Sequence, residues 1–368
     1  MKSGNSKKNK IKKIIVAPLD WGLGHATRCI PIIQHLMQSN CEVIIISSGR
    51  SLVLLQNEFP HIIVYDVSAY NIEYQRSGNF ILKIGLQLFK VFKGIRKEHL
   101  ELLKIVKTEN PDLIIADNRY GMYHPHVQSI IITHQLMVKI PGLRFMEPIV
   151  KRWLYYRHKK FNAVWIPDIE TEPNIAGDLS HAGIKPRNIK YLGVLTRFKK
   201  LKEPPQSTGK ILVIISGPEP QRTLFEEMIL QQAALLTYPF IIVQGKSESQ
   251  ERKSLAPHIQ IISHCNSEAL FALAEEAEII ISRGGYSTLM DLSQLNKKCI
   301  FIPTPGQTEQ EYLVQELAKN NQVLYAKQED CNIGELINKI NQLDIRFNIP
   351  ADTDFFKQVV NDAISSLD

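Results

Sequence analysis

The chain reads as two successive series of short, β-branched, almost uninterrupted apolar runs, with helical patterns between them. The first series is "KKIIVAPL", "CEVIIISS", "HIIVYDV", "DLIIAD" and "SIIITH"; the second is "ILVIISG", "PFIIVQG", "IQIISH", "AEIIISRGG" and "KKCIFIPTP". Strands that are apolar on both faces must be covered on both faces, the condition of a parallel sheet flanked by helices. Segments such as "ATRCIPIIQHLMQ" and "RSLVLLQNEF" supply those helices. The pattern predicts two doubly wound, Rossmann-like α/β units. The Pro-, Lys- and Ser-rich "KKLKEPPQSTGK" separates them. The expected division is a disordered basic tail over 1–10, an amino-terminal unit over 11–200, a linker over 201–210, a carboxyl-terminal unit over 211–350 and a closing amphipathic helix over 351–368. Open sheets of this kind bind ligands at the carboxyl ends of their strands, so two of them face to face enclose a cleft lined by loops.

Charge is unevenly spread. The first 13 residues hold 6 Lys and no acid, residues 14–200 hold 24 basic against 15 acidic residues, and residues 201–368 hold 14 against 22. The amino-terminal unit therefore suits an anionic partner, and no nucleic-acid partner is read. The 5 cysteines are odd in number and contain no C-x-x-C, which argues for a reducing compartment and against a disulfide framework or a zinc knuckle. No secretory leader or spanning segment is read.

Candidate ligand-binding residues fall just after strands. In "SRGGYSTLMDL", Gly284 and Gly285 clear space where the backbone must turn and meet a ligand. Ser287 and Thr288 place hydroxyls and N–H groups at a helix start, Arg283 adds a guanidinium fork for phosphate, and Asp291 is placed for a ribose diol. The plain alternative is an ordinary helix N-cap. Further on, Glu309 and Gln310 open another helix; a carboxylate and an amide can bind sugar hydroxyls, or simply suit the helix dipole. The "DTD" at 352–354 has the look of a metal motif, but it precedes a helix, where such residues cap. No metal ligand set is read.

Together, "SRGGYSTLMDL" and "FIPTPGQTEQEY" resemble the donor site of the GT-B glycosyltransferases of the family-28 type, whose relatives include the lipid-II-forming N-acetylglucosaminyltransferase and the UDP-glycosyltransferases. The resemblance implies a GT-B fold, with two Rossmann-like domains facing a central cleft. It implies a hexosyltransferase-type enzyme that moves a sugar from a UDP-linked donor to an acceptor hydroxyl by inverting displacement, with no metal or other cofactor. By the same resemblance Arg283, Gly285, Ser287 and Thr288 hold the diphosphate together with Ser216 and Gly217 of "ISGPEPQR", Asp291 holds the ribose, and Glu309 and Gln310 hold the sugar. Two departures stand out: the ribose acid is usually Glu, and the lipid-II enzyme has Gln-Gln where this chain has Gln310-Glu311.

The resemblance also implies a general base, His25, in the "GLGHATRC" loop after the first strand; imidazole suits that role because its pKa lies near neutrality. Gly22 and Gly24 let the loop approach phosphates or acceptor, and Arg28 can reach an anionic acceptor or the diphosphate. Asp117, ending "DLIIAD", can hold the histidine's other nitrogen or form a turn with Asn118. His134 is a further cleft candidate, and Gln244 and His264 lie near where the uracil is read.

Two stretches, "NFILKIGLQLFKVFKGIRKEHLELLK" and "PGLRFMEPIVKRWLYYRHKKF", mix large apolar residues with Lys and Arg. They read either as core-facing helices with solvated charges or as a docking face for an anionic membrane. By resemblance to the lipid-II enzyme, the second implies a cytoplasmic protein, peripheral on the inner membrane face, with a lipid-linked acceptor. Two rival functions share the pattern. One is a UDP-sugar hydrolase of the pseudaminic acid pathway type, whose glycine–His–Arg–Cys segment resembles "GLGHATRCIPI". The other is a non-catalytic nucleotide-sugar-binding subunit.

Overall fold

The apolar runs assemble into two seven-stranded sheets. β1 (Lys13–Pro18), β2 (Glu42–Ser47), β3 (Ile63–Asp66), β4 (Leu113–Asp117), β5 (Gln128–Ile132), β6 (Ala163–Ile166) and β7 (Ile189–Tyr191) form the first, in the order β3-β2-β1-β4-β5-β6-β7 and parallel throughout. β8 (Ile211–Ile214), β9 (Phe240–Val243), β10 (Arg252–Ala256), β11 (Ile259–Ile262), β12 (Ile279–Ser282), β13 (Lys298–Phe301) and β14 (Leu324–Tyr325) form the second, in the order β10-β11-β9-β8-β12-β13-β14, with only β10 antiparallel to its neighbour. The helices are α1 (Gly24–Gln38), α2 (Gly49–Glu58), α3 (Phe80–Glu109), α4 (Glu147–His158), α5 (Asp178–His181), α6 (Gln221–Ala233), α7 (Ser267–Glu276), α8 (Tyr286–Leu292), α9 (Thr308–Lys319), α10 (Ile333–Leu343) and α11 (Phe355–Ser365). This computed structural model describes residues 11–68, 80–137, 147–181, 185–186, 188–198, 209–246, 249 and 251–367, with side chains of 80–90 left aside. The expected tail and residues 201–208 of the expected linker lie outside the described residues.

Side chains alternate across each strand, and both faces are covered. Ile14, Val16, Ile45 and Ile115 pack on one side of the first sheet with α1, while Ile15, Ile44, Ile114 and Ile131 pack on the other with α3. Each such buried side chain contributes about 1.5–3 kcal/mol of hydrophobic stabilisation. The first of these cores continues into the second half through Tyr286, Leu289 and Phe356.

Strand order reverses between β1 and β4 and again between β8 and β12. There Pro18 stands opposite Asp117, and Ile214 opposite Ser282. Loops diverge at such switch points and leave a crevice at the strand ends. The ends of these four strands, with the loops and helix starts that follow them, carry His25, Asp117, Ser216 with Gly217, and Arg283 through Thr288.

The chain passes between the sheets twice. It leaves the first through residues 192–198 and returns through α11, which packs on α1; His35 Nε2 lies 2.8 Å from Asn361 Oδ1. The two passages touch: a side chain at Gly193 would meet the Asp352 carbonyl at 3.4 Å.

Candidate active site

The loop after β1 turns at Gly22, whose φ of +68° would strain any other residue. α1 then begins, so that His25 and Arg28 share a face three positions apart. That face meets the end of β4. His25 Nδ1 lies 3.2 Å from Asp117 Oδ1. Arg28 grips Asp117 with two prongs, Nε donating to Oδ2 and Nη2 to Oδ1. The same guanidinium reaches His25 Nδ1 from Nη2 at 2.7 Å and His134 Nδ1 from Nη1 at 3.1 Å. His134 stacks on Tyr286 of α8 with ring centroids 4.0 Å apart, and its Nε2 is 3.0 Å from Glu309 Oε1. Gln135 donates to the other oxygen of Glu309. An unbroken polar chain therefore runs from the first loop of one sheet to α9 of the other.

The electrostatics follow from burial and from Arg28. Burial alone would raise the Asp117 pKa, but the Arg28 guanidinium and then His25 hold it far below the usual carboxylate range. Burial and the Arg28 charge both lower the His25 pKa, against the pull of Asp117. The ring is thus neutral at pH 7, the form that can take a proton. Glu309 is pushed up by burial, but His134 and Arg28 outweigh this and keep it ionised.

Across the cleft, Ser287 Oγ donates to the Gly24 carbonyl at 2.7 Å, so the α8 loop and the His25 loop are in direct contact. Gly217 has φ +110°, and a side chain there would come within 3.9 Å of Thr304 Oγ1. Thr304 is buried, and its hydroxyl has no hydrogen-bond partner. Such a group costs about 1–3 kcal/mol when left unsatisfied, so its position beside the Gly217 loop points to a polar ligand. Among the described residues no three His, Cys, Asp or Glu side chains gather where they could hold a metal ion. At 352–354, Asp352 Oδ1 accepts from the Asp354 N–H at 2.9 Å ahead of α11.

This two-sheet arrangement aligns with the calicheamicin glycosyltransferase CalG4 at a TM-score of 0.61, with 10% identity over 97% of this chain and 98% of that one. It aligns with MurG of Acinetobacter baumannii at 0.52, with 14% identity over 97% and 95%. Residues 211–351 match the glycosyltransferase family 28 C-terminal domain, and residues 13–139 match glycosyl transferase family 1. The chain is a GT-B glycosyltransferase. Among the relatives of this glycosyltransferase, an uncharacterized glycosyltransferase of Methanosarcina mazei is 20% identical, covering 81% of each chain. A UDP-N-acetylglucosamine–N-acetylmuramyl-(pentapeptide) pyrophosphoryl-undecaprenol N-acetylglucosamine transferase of Rickettsia akari is 27% identical, covering 90% of each.

The glycosyltransferase uses several polar residues otherwise than their spacing implies. Arg283 does not face the cleft. It is 1% exposed, lies over Phe225 at 3.9 Å, and donates to the carbonyls of Ile302, Pro303 and Gln221 and to Gln328 Oε1. Burial lowers its pKa to about 10, still cationic at pH 7. Its work is to tie together the loops around the cleft. Asp291 is not open to a ribose: Oδ2 is held by Arg197 Nε and Nη2 at 3.0 and 2.9 Å, and Oδ1 by the Arg197 N–H and the Thr196 hydroxyl. It fastens α8 to the passage between the sheets. Arg28, 2% exposed, is engaged by Asp117, His25 and His134. Gln310 is bound to its own loop, accepting from the Thr304 N–H at 2.9 Å and donating to Gln307. Gln244 is locked between Glu226 and Ser263 inside the second domain.

The two glycines of the α8 loop separate cleanly. A side chain at Gly284 would meet Val314 Cγ1 of α9 at 2.2 Å, whereas at Gly285 nothing lies nearer than Thr288 Oγ1 at 3.9 Å. Gly284→Ala is therefore expected to destabilise the fold by about 1–3 kcal/mol through overpacking. Gly285→Ala should leave the urea midpoint within error and weaken nucleotide binding instead. Chemical denaturation and calorimetry with UDP on both variants check this.

Residue type and spacing had not shown the central place of His134, Gln135 and Tyr286, nor Thr304 and Arg197. His134 carried a signal, since it ends a strand run as Asp117 does. Arg197 carried none, because it lies in a passage with no periodic pattern.

Proposed function

We propose that this glycosyltransferase moves a sugar from a UDP-linked donor to the hydroxyl of a lipid-linked acceptor, inverting the anomeric centre in one displacement. The observation that carries this reading is the Ser287–Gly24 contact, which sets the loop of the histidine directly against the glycine–hydroxyl loop of the second sheet. A donor seated after β8 and β12 then presents its anomeric carbon to the loop of His25. His25 takes the acceptor proton, the acceptor oxygen bonds to the anomeric carbon, and the bond to the diphosphate breaks with its electron pair. Ser216, Thr288 and the Thr304 hydroxyl, with the open backbone at Gly217 and Gly285, meet the charge that develops on the leaving group. Glu309, whose side chain is 32% exposed, takes sugar hydroxyls. No metal is assigned a part in the site.

Support for the acceptor comes from the face beside the site. Tyr120, three residues past Asp117, meets Trp153 of α4 edge-on at 5.6 Å, and Trp153 meets Phe92 of α3 at 5.8 Å. Phe92, Ile149 and Tyr156 are exposed, and Arg152, Arg157 and Lys159 lie over the rings of Tyr156, Trp153 and Tyr155. Exposed aromatics rimmed by cations suit an anionic lipid surface. Lys93 and Lys97 belong to this helix, and the side chains of Lys83 and Lys90 lie outside the described residues. Among the described residues no helix is long and apolar enough to cross a membrane. The relatives named for a UDP-N-acetylglucosamine donor and an undecaprenol-linked acceptor support the same pairing.

The test is UDP release from a panel of UDP-sugars, alone, with soluble sugar acceptors, and with polyprenyl-diphosphate sugars in anionic vesicles. Release that depends on the vesicle-borne acceptor is expected. Equal release with no acceptor present would replace transfer by hydrolysis, and release with soluble acceptors alone would remove the lipid.

A further inference from the structure

The contact between Arg28 and His25 bears on which ring nitrogen carries the proton. A guanidinium has only donors and keeps its protons, so a ring nitrogen that meets it must accept. His134 obeys this: Nδ1 accepts from Arg28, which leaves the proton on Nε2 to be donated to Glu309 at 3.0 Å. His25 Nδ1 is approached from two sides, by Arg28 Nη2 at 2.7 Å and by Asp117 Oδ1 at 3.2 Å. One nitrogen cannot accept from the first and donate to the second. The shorter contact, and the engagement of both Asp117 oxygens by Arg28, select acceptance from Arg28.

We propose that Arg28 is a positioning residue that sets the tautomer of His25, holding its proton on Nε2 in the arrangement seen here. This rests on the reading of His25 as the base. A base needs its cleft-facing nitrogen bare, and in this tautomer Nδ1 is bare but occupied while Nε2 is protonated. Turnover therefore uses the other tautomer, with the proton on Nδ1 facing Asp117. The two forms carry the same charge and differ only in which nitrogen holds one proton. The exchange requires Arg28 Nη2 to leave Nδ1 while Nε stays on Asp117. The charged and titratable groups around the ring are Arg28 from α1, Asp117 from β4, His134 after β5 and Glu309 from α9.

Histidine-ring nitrogen NMR on the full chain, labelled with 15N-histidine, reads this directly. The His25 signals are identified by their loss in His25→Gln. The unliganded protein at pH 7.5 is expected to show a protonated Nε2 and a bare Nδ1. Arg28→Met should move the proton to Nδ1 and raise the pH at which the ring titrates, because a cation is removed and the carboxylate remains. A wild-type spectrum with the proton on Nδ1 overturns the proposal, and so does an Arg28→Met tautomer identical to the wild type. The wild-type spectrum decides even where Arg28→Met fails to fold. Failure of the base reading is seen elsewhere, as undiminished transfer by His25→Ala, and leaves the tautomer result standing.

Discussion

His25→Ala is expected to lower the turnover of sugar transfer by about 100- to 10,000-fold, the usual cost of losing a general base. Affinity for UDP should stay within a few-fold of the wild type. The split follows from placement. His25 belongs to the first sheet, beside Asp117, whereas the glycines and hydroxyls read as holding the nucleotide belong to loops of the second sheet. Arg28 and Asp117 pair with each other and keep the pocket formed when the ring is removed. Steady-state rates with saturating donor, together with UDP calorimetry, separate the two effects. Near-normal turnover would transfer the base role to another group, and a large loss of UDP affinity would place the ring on the phosphates.

The second large effect concerns stability. Asp117→Asn leaves the Arg28 cation buried without its counter-charge, in a position 2% exposed. Breaking a buried pair from one side costs about 3–5 kcal/mol. Asp117→Asn with Arg28→Met removes both charges and should recover much of that loss, so the double-mutant cycle isolates the pair. The pH dependence has a definite sign. The Asp117 pKa is depressed in the folded state, so the stability it contributes is complete above its unfolded pKa of about 3.9 and is lost as pH falls through the folded value. The gap between wild type and Asp117→Asn should therefore be constant from pH 6 to 8 and narrow in strong acid. Urea midpoints across that range check it. A gap unchanged down to pH 2 would mean that the carboxylate's charge is not what stabilises Arg28.

How much of this was legible beforehand depends on what each residue touches. Strands such as Ile14–Ala17 and Ile114–Ala116 are buried on both faces, and an apolar run is the direct mark of that. β10, "RKSLA", is a mostly exposed edge strand paired only to β11, so it has no apolar run to find. β7 is three residues long with an exposed Lys190 at its centre. Within the candidate site, the glycines and His25 stood out because a loop between a buried strand and a helix has few other reasons for such residues. Arg28, Arg283 and Asp291 have protein partners that their types and spacing did not show, for a common reason. Their types suit phosphate and ribose, but a sequence does not show which way a long side chain turns. Arg283 turns under its own loops, Asp291 toward Arg197, and Arg28 toward a carboxylate 89 positions away.

The two passages between the sheets lie side by side where Gly193 faces Asp352 and Phe355. Two cords joining the same pair of bodies act as a door's paired leaves. They resist shear and twist, and they leave one soft swing about the line through both attachments. The Asp291–Arg197 clamp fastens α8 to the first of these passages. A swing that parts the two halves also has to break the contacts of Arg50 of α2 with the Gly245 carbonyl and of Glu58 with Ser267. Parting of the two halves is therefore opposed at α2 as well as at the two crossings.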